Sequence, residues 1–373
     1  MKICIIGGGN IGTALAVMAS YFGQAEVVML TSTPERWNQN LTMVDSISGK
    51  RTQGKLAYAT SDCAQAVDDC DVVLVAQPSF LLANTLKTLA LHLKAPAMIG
   101  IVPGTGGAEY MARELLQNGH TLFGVDRVPC IARITEYGNT VAASYKKSVR
   151  ICAIPAKRTA QAGYLFARLF PVKCIPVENY LTITLTPSNP ILHTSRLFVL
   201  HQSHAQALWT DPPLFYQDWD DASSELLLQC DKELQKLCDA LDGIPLNVIP
   251  LRIHYEADTV QAMTQKLRSL PALKNIPCPM VHMDGGYTLN LSSRYFIEDF
   301  PYGLCILKGF AVACGVSVPH MDLILRWYES MAGVQYFIGD SFCGSDLQNT
   351  GIPQNYGIRS INDICRFYVG VGQ

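Results

Sequence analysis

Lys2-Ile3-Cys4-Ile5-Ile6-Gly7-Gly8-Gly9-Asn10-Ile11-Gly12 is the stretch that decides the fold. Lys2 to Ile6 carries a run of apolar residues, the pattern of a short strand buried on both faces. Gly7, Gly9 and Gly12 follow at the spacing GxGxxG, and Asn10 to Tyr21 then reads as a helix. Its small residues Gly12, Ala14, Ala16 and Ala19 permit close approach to a sheet. Each glycine has a task in such a strand–turn–helix unit. Gly7 allows the tight turn out of the strand, Gly9 lets the backbone approach a pyrophosphate with no Cβ in the way, and Gly12 lets the helix pack on the sheet. The helix N-terminus at Asn10 and Ile11 offers free N–H groups and the positive end of the helix dipole to the phosphates. A lone GxGxxG is a weak signal. Placed after a strand, before a helix and at the head of an α/β chain, it points to a dinucleotide.

Working outward, further apolar strands are predicted at Glu26 to Leu30, Asp71 to Ala76 and Ala97 to Val102, with extensions at Thr121 to Val125 and Val149 to Ile154. Strands separated by helical segments imply a Rossmann-type, doubly wound parallel sheet. Near Thr186 the texture changes. Thr186-Pro187-Ser188-Asn189-Pro190 reads as a connector and helix start, and long helical patterns follow at Ile191 to Ala207, Ala222 to Leu241, Thr259 to Ser269 and Gly303 to Cys314. Apolar positions 226, 227, 230, 234, 237, 238 and 241 fit helical spacing. The expected division is a dinucleotide-binding domain over 1–180 and a mainly α-helical domain over 181–373.

The bulk composition excludes several classes. In 373 residues, 49% are hydrophobic and 16% charged, which is material for packed cores rather than disorder. The 29 basic and 31 acidic residues give a net charge of −2, so nothing predicts nucleic-acid binding by bulk charge. The 13 cysteines are scattered with no CxxC pair, which speaks against a disulfide framework or a structural zinc site and for free thiols in a reducing compartment. The short apolar run before Gly7 cannot form a signal-peptide core, and no uncharged apolar stretch approaches the roughly 18 residues that span a bilayer. A soluble cytoplasmic protein without a membrane partner is expected.

The end of the second strand bears on the choice of dinucleotide. An acid there would grip the ribose 2′-hydroxyl of NAD. The sequence instead has Leu30-Thr31-Ser32-Thr33-Pro34-Glu35-Arg36. Thr31, Ser32 and Arg36 suit a 2′-phosphate, so NADP is expected. Arg36 also reads as a solvated residue at a helix start, and Glu35 could serve a ribose in another loop conformation, which leaves NAD open. Gln77-Pro78-Ser79 ends another strand and is expected to line the nicotinamide pocket through Gln77. Thr105, Gly106 and Gly107 fall at the carboxyl end of the sheet, where ligands bind in such folds.

Three stretches stand out beyond the glycine loop: Asn189-Pro190-Ile191-Leu192-His193, the run SRYFIEDFPYGL from Ser293 to Leu304, and Pro129 to Gly138 with its core ARITEYG. With the N-terminal glycine motif, Gly315-Val316 and Pro319, these make the chain resemble the octopine/nopaline (opine) dehydrogenase family over nearly its whole length. The block 293–304 is the most specific of them. The resemblance implies a Rossmann domain followed by an all-α domain like the C-terminal part of 6-phosphogluconate dehydrogenase, with the reaction in the cleft between. It implies an NAD(P)H-dependent reductive joining of an amino acid amine to a 2-oxo acid. It also implies His193 as the catalytic histidine, Asp299 as its carboxylate partner and Arg294 as the arginine that holds the oxo-acid carboxylate.

The chemistry explains the residue types. A base must keep the amine neutral and an acid must assist loss of water, and a histidine titrating near neutrality can do both. A carboxylate on the other ring nitrogen fixes the tautomer and supports the charged ring. A guanidinium fork suits a carboxylate. Each residue also has a plain structural reading: His193 as an ordinary helix residue, Asp299 as an N-cap two residues before Pro301, Arg294 as a surface arginine. His201 and His204 share the helix with His193, but His193 and His204 lie roughly 16 Å apart along it, too far for one metal ion. Trp209, Phe215, Tyr216 and Trp219 could shape an amine-substrate pocket or simply pack the core. The alternatives are a 2-oxo acid reductase of the ketopantoate reductase type, which typically carries a catalytic lysine, and a non-catalytic NAD(P)-binding sensor. A homodimer is left open.

Overall fold

The first strand, β1 (Lys2–Ile6), sends alternate side chains into two different cores. Ile3 and Ile5 pack with α1 (Asn10–Tyr21), whereas Cys4 and Ile6 pack with α2 (Ser79–His92). A strand covered by helices on both faces has no polar side, hence the unbroken apolar run. The computed structural model describes residues 1–94, 96–186, 188–204 and 208–370.

Ten further strands follow: β2 (Glu26–Leu30), β3 (Asn40–Asp45), β4 (Arg51–Thr60), β5 (Val72–Val75), β6 (Met98–Ile101), β7 (Thr121–Val125), β8 (Cys130–Glu136), β9 (Thr140–Tyr145), β10 (Ser148–Ile154) and β11 (Lys173–Pro176). Among the described residues they form one sheet of eleven strands, in the order β11-β10-β7-β6-β5-β1-β2-β4-β3-β9-β8. The centre from β7 to β2 is parallel, as the sequence predicts. The order reverses between β5, β1 and β2, which is where such sheets bind ligands.

The sequence reading anticipated neither β3, β4, β8 and β9 nor β11. The second half of β4 pairs parallel with β2 and its first half pairs antiparallel with β3. β9 then continues parallel to β3, and β8 closes the edge antiparallel to β9. On the other side β10 joins β7 antiparallel. Close packing of β4 on α1 needs Gly54, because a Cβ there would come within 2.7 Å of the Val17 Cα.

The chain divides into two compact units, Met1–Thr184 with Arg366–Gln373, and Leu185–Cys365. This differs from a single cut near residue 180, because the chain returns to the first unit at Arg366. The return is pinned by buried polar groups. Asn179 Nδ2 donates to the Tyr368 carbonyl (2.9 Å), and the Tyr368 hydroxyl donates to Glu109 Oε1 (2.5 Å). Glu109 is fully buried and also accepts from the Thr184 hydroxyl (2.5 Å).

Burial pushes the Glu109 carboxyl up from 4.5 to about 7, against the lowering effect of those hydroxyls. A folded-state pKa raised above the unfolded one gives stability that is full below about pH 4.5 and is lost as pH rises through about 7. The loss is about 3 kcal/mol at ~1.36 kcal/mol per unit. Glu109→Gln keeps an acceptor for both hydroxyls and cannot ionise. It should therefore raise the melting temperature at pH 8 while leaving it near wild type at pH 4.5. Equal melting temperatures for the two proteins at pH 8 would show that the carboxylate is accommodated without cost.

The second unit is built on α3 (Ser188–Ser203), α4 (Asp221–Ala240), α5 (Val260–Ser269), α6 (Cys305–Cys314) and α7 (Pro319–Ala332). The helix start at Ser188 precedes the expected Ile191, and the expected end at Ala207, like Pro187, lies outside the described residues. The predicted α4 stripe is buried at Leu226, Leu227, Cys230, Leu234, Leu237 and Leu241. One hairpin, β12 (Met280–Met283) with β13 (Gly286–Leu289), joins the helices. Its turn residues are Asp284-Gly285, and the left-handed φ of +91° at Gly285 is one that an L side chain rarely adopts. Among the described residues no helix is long and apolar enough to cross a membrane.

Candidate active site

The glycine loop in the first unit has the geometry its spacing implies. Gly7 has φ +110° and no room for a side chain, since a Cβ would meet the Ala76 carbonyl oxygen at 2.6 Å. A Cβ on Gly12 would lie 1.8 Å from the Gly7 oxygen. At Gly9 a Cβ would meet nothing within 4 Å, so the backbone opens on free space at the start of α1. These are the features a pyrophosphate requires. Beside the loop is a cavity of about 460 Å³ lined by Ile6, Thr31, Ser32, Gln77, Thr85 and others. The predicted Thr31, Ser32 and Gln77 therefore come together at the carboxyl ends of β1, β2 and β5. The Gln77 amide oxygen accepts from the Thr85 hydroxyl (2.7 Å).

Two of the predicted residues serve otherwise than through a free side chain. The Asn10 Oδ1 accepts from the Ile134 backbone N–H (2.8 Å), which ties α1 to β8. Ile11 packs against the hydrophobic core. Arg36 is exposed, and its guanidinium lies over the Tyr137 ring, 4.3 Å from the centroid. Gly106 and Gly107 both have φ +80°, and Gly106 lies hard against Ser79, whose Oγ would be 2.4 Å from a Cβ.

In the second unit the structure separates the two readings of Asp299. The residue precedes a π-helical turn, Phe300–Leu304, yet its side chain makes no capping hydrogen bond. Its Oδ2 lies instead 2.7 Å from His193 Nδ1. The sequence shows why this is possible. Gly303 lets the turn sit directly on α3, because a Cβ there would be 2.5 Å from the Pro190 ring. Pro190 is one turn before His193. Phe300 stacks on Tyr328 (4.1 Å between centroids) and fixes the turn from below.

His193 is only 8% exposed. Its Nε2 lies 2.9 Å from the Tyr216 hydroxyl. The Tyr295 ring lies across the imidazole at 4.4 Å and Phe215 meets it edge-on at 5.4 Å. Arg196, three residues on from His193 and 1% exposed, holds this wall in place. Its guanidinium donates to the Asp220 carboxylate (2.7 Å), the Ser223 hydroxyl (3.1 Å) and the Asp218 carbonyl (2.5 Å). Trp209 stands apart, stacked on His204 at 4.7 Å. Sequence reasoning named Tyr216 only as one of an aromatic cluster and singled out neither Tyr295 nor Arg196. A Tyr directly after the predicted Arg294 was the available signal for Tyr295.

Arg294 is brought to this region but not onto the dyad. It opens the short helix Arg294–Ile297 that carries Tyr295. Its side chain is 66% exposed and is held by Glu298, with Nε donating to Oε2 at 2.7 Å. Among the described residues no group of three or more His, Cys, Asp or Glu is placed to hold a metal ion.

A glycine loop on one unit and a buried His–Asp pair on the other suit a dehydrogenase with an acid/base residue. Residues 176–332 match the family described as NAD/NADP octopine/nopaline dehydrogenase, alpha-helical domain. Over that stretch the chain is similar to that family. Residues 2–118 match the N-terminal domain of NAD-dependent glycerol-3-phosphate dehydrogenase. Octopine dehydrogenase of Pecten maximus is 26% identical over 98% of each chain. Tauropine dehydrogenase of Arabella iricolor is 26% identical over 97% of this chain and 99% of its own. A solved octopine dehydrogenase structure with NADH and L-arginine superposes with a TM-score of 0.85, covering 98% of this chain and 97% of that one at 24% identity. That last likeness establishes the shared fold. The family's helical domain spans both His193 and Asp299, so the pair lies within the matched region.

Proposed function

We propose that this chain is an opine-type dehydrogenase, which condenses the amine of an amino acid with a 2-oxo acid and reduces the product with NAD(P)H. The observation that carries this reading is the Asp299 carboxylate 2.7 Å from His193 Nδ1 in place of a helix cap. It is supported by the match of residues 176–332 to the octopine/nopaline dehydrogenase helical domain and by full-length relatives named for octopine and tauropine.

The residues of this chain divide the work. Asp299 holds Nδ1 protonated, which leaves Nε2 as the working nitrogen. Nε2 takes a proton from the substrate ammonium, and the freed amine attacks the oxo carbon. The protonated imidazole then returns a proton to the hydroxyl that leaves as water while the carbon–nitrogen double bond forms. Tyr295 and Phe215 cover the ring and exclude water. Arg294 exchanges Glu298 for the oxo-acid carboxylate. A dinucleotide held here would supply the hydride. The glycine loop, Thr31, Ser32, Gln77 and Arg36 would hold it, and the open space at Gly9 fits its phosphates. The reading needs small-molecule partners alone, with no nucleic acid or membrane. A cytoplasmic setting is supported by thirteen free thiols.

The decisive experiment is NAD(P)H oxidation with oxo acids crossed against amino acids. Turnover that requires both substrates supports the reading. Turnover with an oxo acid alone would move the chain to the 2-oxo acid reductases, and tight NAD(P)H binding without turnover on any pair would mark a sensor.

Cofactor choice gives a second expectation. Thr31, Ser32 and Arg36 stand where an acidic ribose ligand would be, so kcat/KM should favour NADPH over NADH. Arg36→Ala should erase that preference at a cost of about 10–100-fold for NADPH, the scale of a hydrogen bond to a charged group. A wild-type preference for NADH, unchanged in Arg36→Ala, would overturn the assignment.

A further inference from the structure

The stretch Ala132 to Gly138 takes no part in the chemistry above, yet it is built tightly against the loop after β2. Tyr137 sits at its end. Its hydroxyl is 3.0 Å from Thr33 Oγ1, and its ring meets Trp37 edge-on at 5.8 Å. The next residue closes the other side. Gly138 has φ +70°, and a Cβ there would lie 2.0 Å from the Arg36 carbonyl oxygen. Its own carbonyl accepts from the Asn38 N–H at 2.9 Å. Residues 33 to 38 are therefore clasped by the turn at 137–138 through side chain and backbone together.

Two further observations aim this clasp at the dinucleotide. A Cβ on Gly8, inside the phosphate loop, would come 3.2 Å from the Tyr137 hydroxyl and 2.7 Å from the Trp37 ring. Tyr137 thus borders the loop that meets the phosphates. The Arg36 guanidinium lies over the same ring, 4.3 Å from its centroid, and is in no ion pair among the described residues. An arginine stacked on an aromatic face keeps its fork of donors free while losing much of its rotamer freedom. A guanidinium in no ion pair, which follows Thr31 and Ser32 in the chain and is seated on a ring whose hydroxyl borders the phosphate loop, is prepared for a phosphate monoester.

We infer that Tyr137 is a positioning residue for cofactor selection: its ring is the platform that holds Arg36 ready for the 2′-phosphate of NADPH. The inference rests on the 2′-phosphate reading of Arg36 given above. Tyr137 is not itself a ligand of the phosphate. It acts through Arg36, by pre-ordering a side chain that would otherwise lose its freedom only on binding.

The experiment uses the full chain and two adenosine fragments, 2′,5′-ADP and 5′-AMP, whose dissociation constants are measured by calorimetry without turnover. Their ratio isolates the 2′-phosphate. Wild type should bind 2′,5′-ADP at least tenfold more tightly, and Arg36→Ala should bring the ratio close to one. Tyr137→Leu should lower the ratio about 2–5-fold with 5′-AMP affinity unchanged, the scale of an exposed cation–π contact. In the Arg36→Ala background the same change should have no further effect on the ratio, because its route of action is gone. Tyr137→Phe keeps the ring and should keep the ratio within twofold, which preserves the test if Tyr137→Leu does not fold. A ratio near one in wild type overturns the 2′-phosphate reading and the inference with it. A wild-type ratio that survives Tyr137→Leu, or one that Tyr137→Phe abolishes, overturns the platform alone. So does an equal loss with and without Arg36.

Discussion

His193→Ala should lower kcat by about 10²–10⁴-fold while NAD(P)H binding, measured by fluorescence titration, stays near wild type. The imidazole is held on both nitrogens, by Asp299 at 2.7 Å and Tyr216 at 2.9 Å, and buried under Tyr295 and Phe215. Asp299→Asn should cost a comparable factor. An amide fills the same space but carries no charge to support the imidazolium, and its NH₂ can turn towards Nδ1 and favour the wrong tautomer. The double mutant should be little worse than either single one, because residues that act as a unit are non-additive. The geometry also sets the control. The Asp299 side chain makes no capping bond, so Asp299→Asn should leave the melting temperature close to wild type. Full activity in Asp299→Asn would detach the carboxylate from the chemistry and leave His193 without its partner.

Arg294→Ala should act on a different parameter. Loss of a charge-assisted partner for the oxo-acid carboxylate should cost about 2–4 kcal/mol in transition-state binding, roughly 30- to 1000-fold in kcat/KM, chiefly through the oxo-acid KM. The amino-acid KM should move far less. Stability should hardly change. Among the described residues Arg294 is paired across one helical turn with Glu298, on a side chain 66% exposed, and such pairs contribute little to folding. An unchanged oxo-acid KM in a folded variant would return Arg294 to the surface residues. The two predictions are separable, since one lowers kcat with binding intact and the other weakens one substrate.

The parts of the fold that were legible in the sequence are those where one rule acts alone. β1 and β5 are buried on both faces, so an apolar run was enough to find them. β4 was hidden for the opposite reason. Its buried positions in the first half are Thr52, Gly54 and Leu56, alternating with exposed Arg51, Gln53 and Lys55, so the period is right but most buried side chains are polar or absent. The close approach of α1 selects small residues there and erases the hydrophobic signal. The hairpin at Asp284-Gly285 was readable from its turn dipeptide and flanking Val281, Met283, Tyr287 and Leu289.

In the site, His193, Asp299 and Arg294 were named from their motifs, but the sequence could not choose between cap and dyad for Asp299. Both roles ask for the same residue type near a helix start. Distance decides, and distance depends on Gly303 lying against Pro190, a contact between residues far apart in the chain. Tyr216 is equally non-local: only the fold, through Arg196 and Asp220, brings it to Nε2. The Arg294–Glu298 pair was within reach, because residues four apart on a helix are neighbours.

The return of the chain at Arg366 has a consequence for synthesis on the ribosome. Protein domains generally fold as they emerge, N-terminal first. Here the first unit cannot be completed in that order, since Tyr368 reaches Glu109 and Asn179 only after the whole of Leu185–Cys365 has been made. Until then Glu109 lacks one of its two hydroxyl donors. The nascent first unit therefore waits for these bonds while the helical unit is translated, and the segment at Tyr368 acts as a closing stitch for Glu109 and Asn179, made long before it.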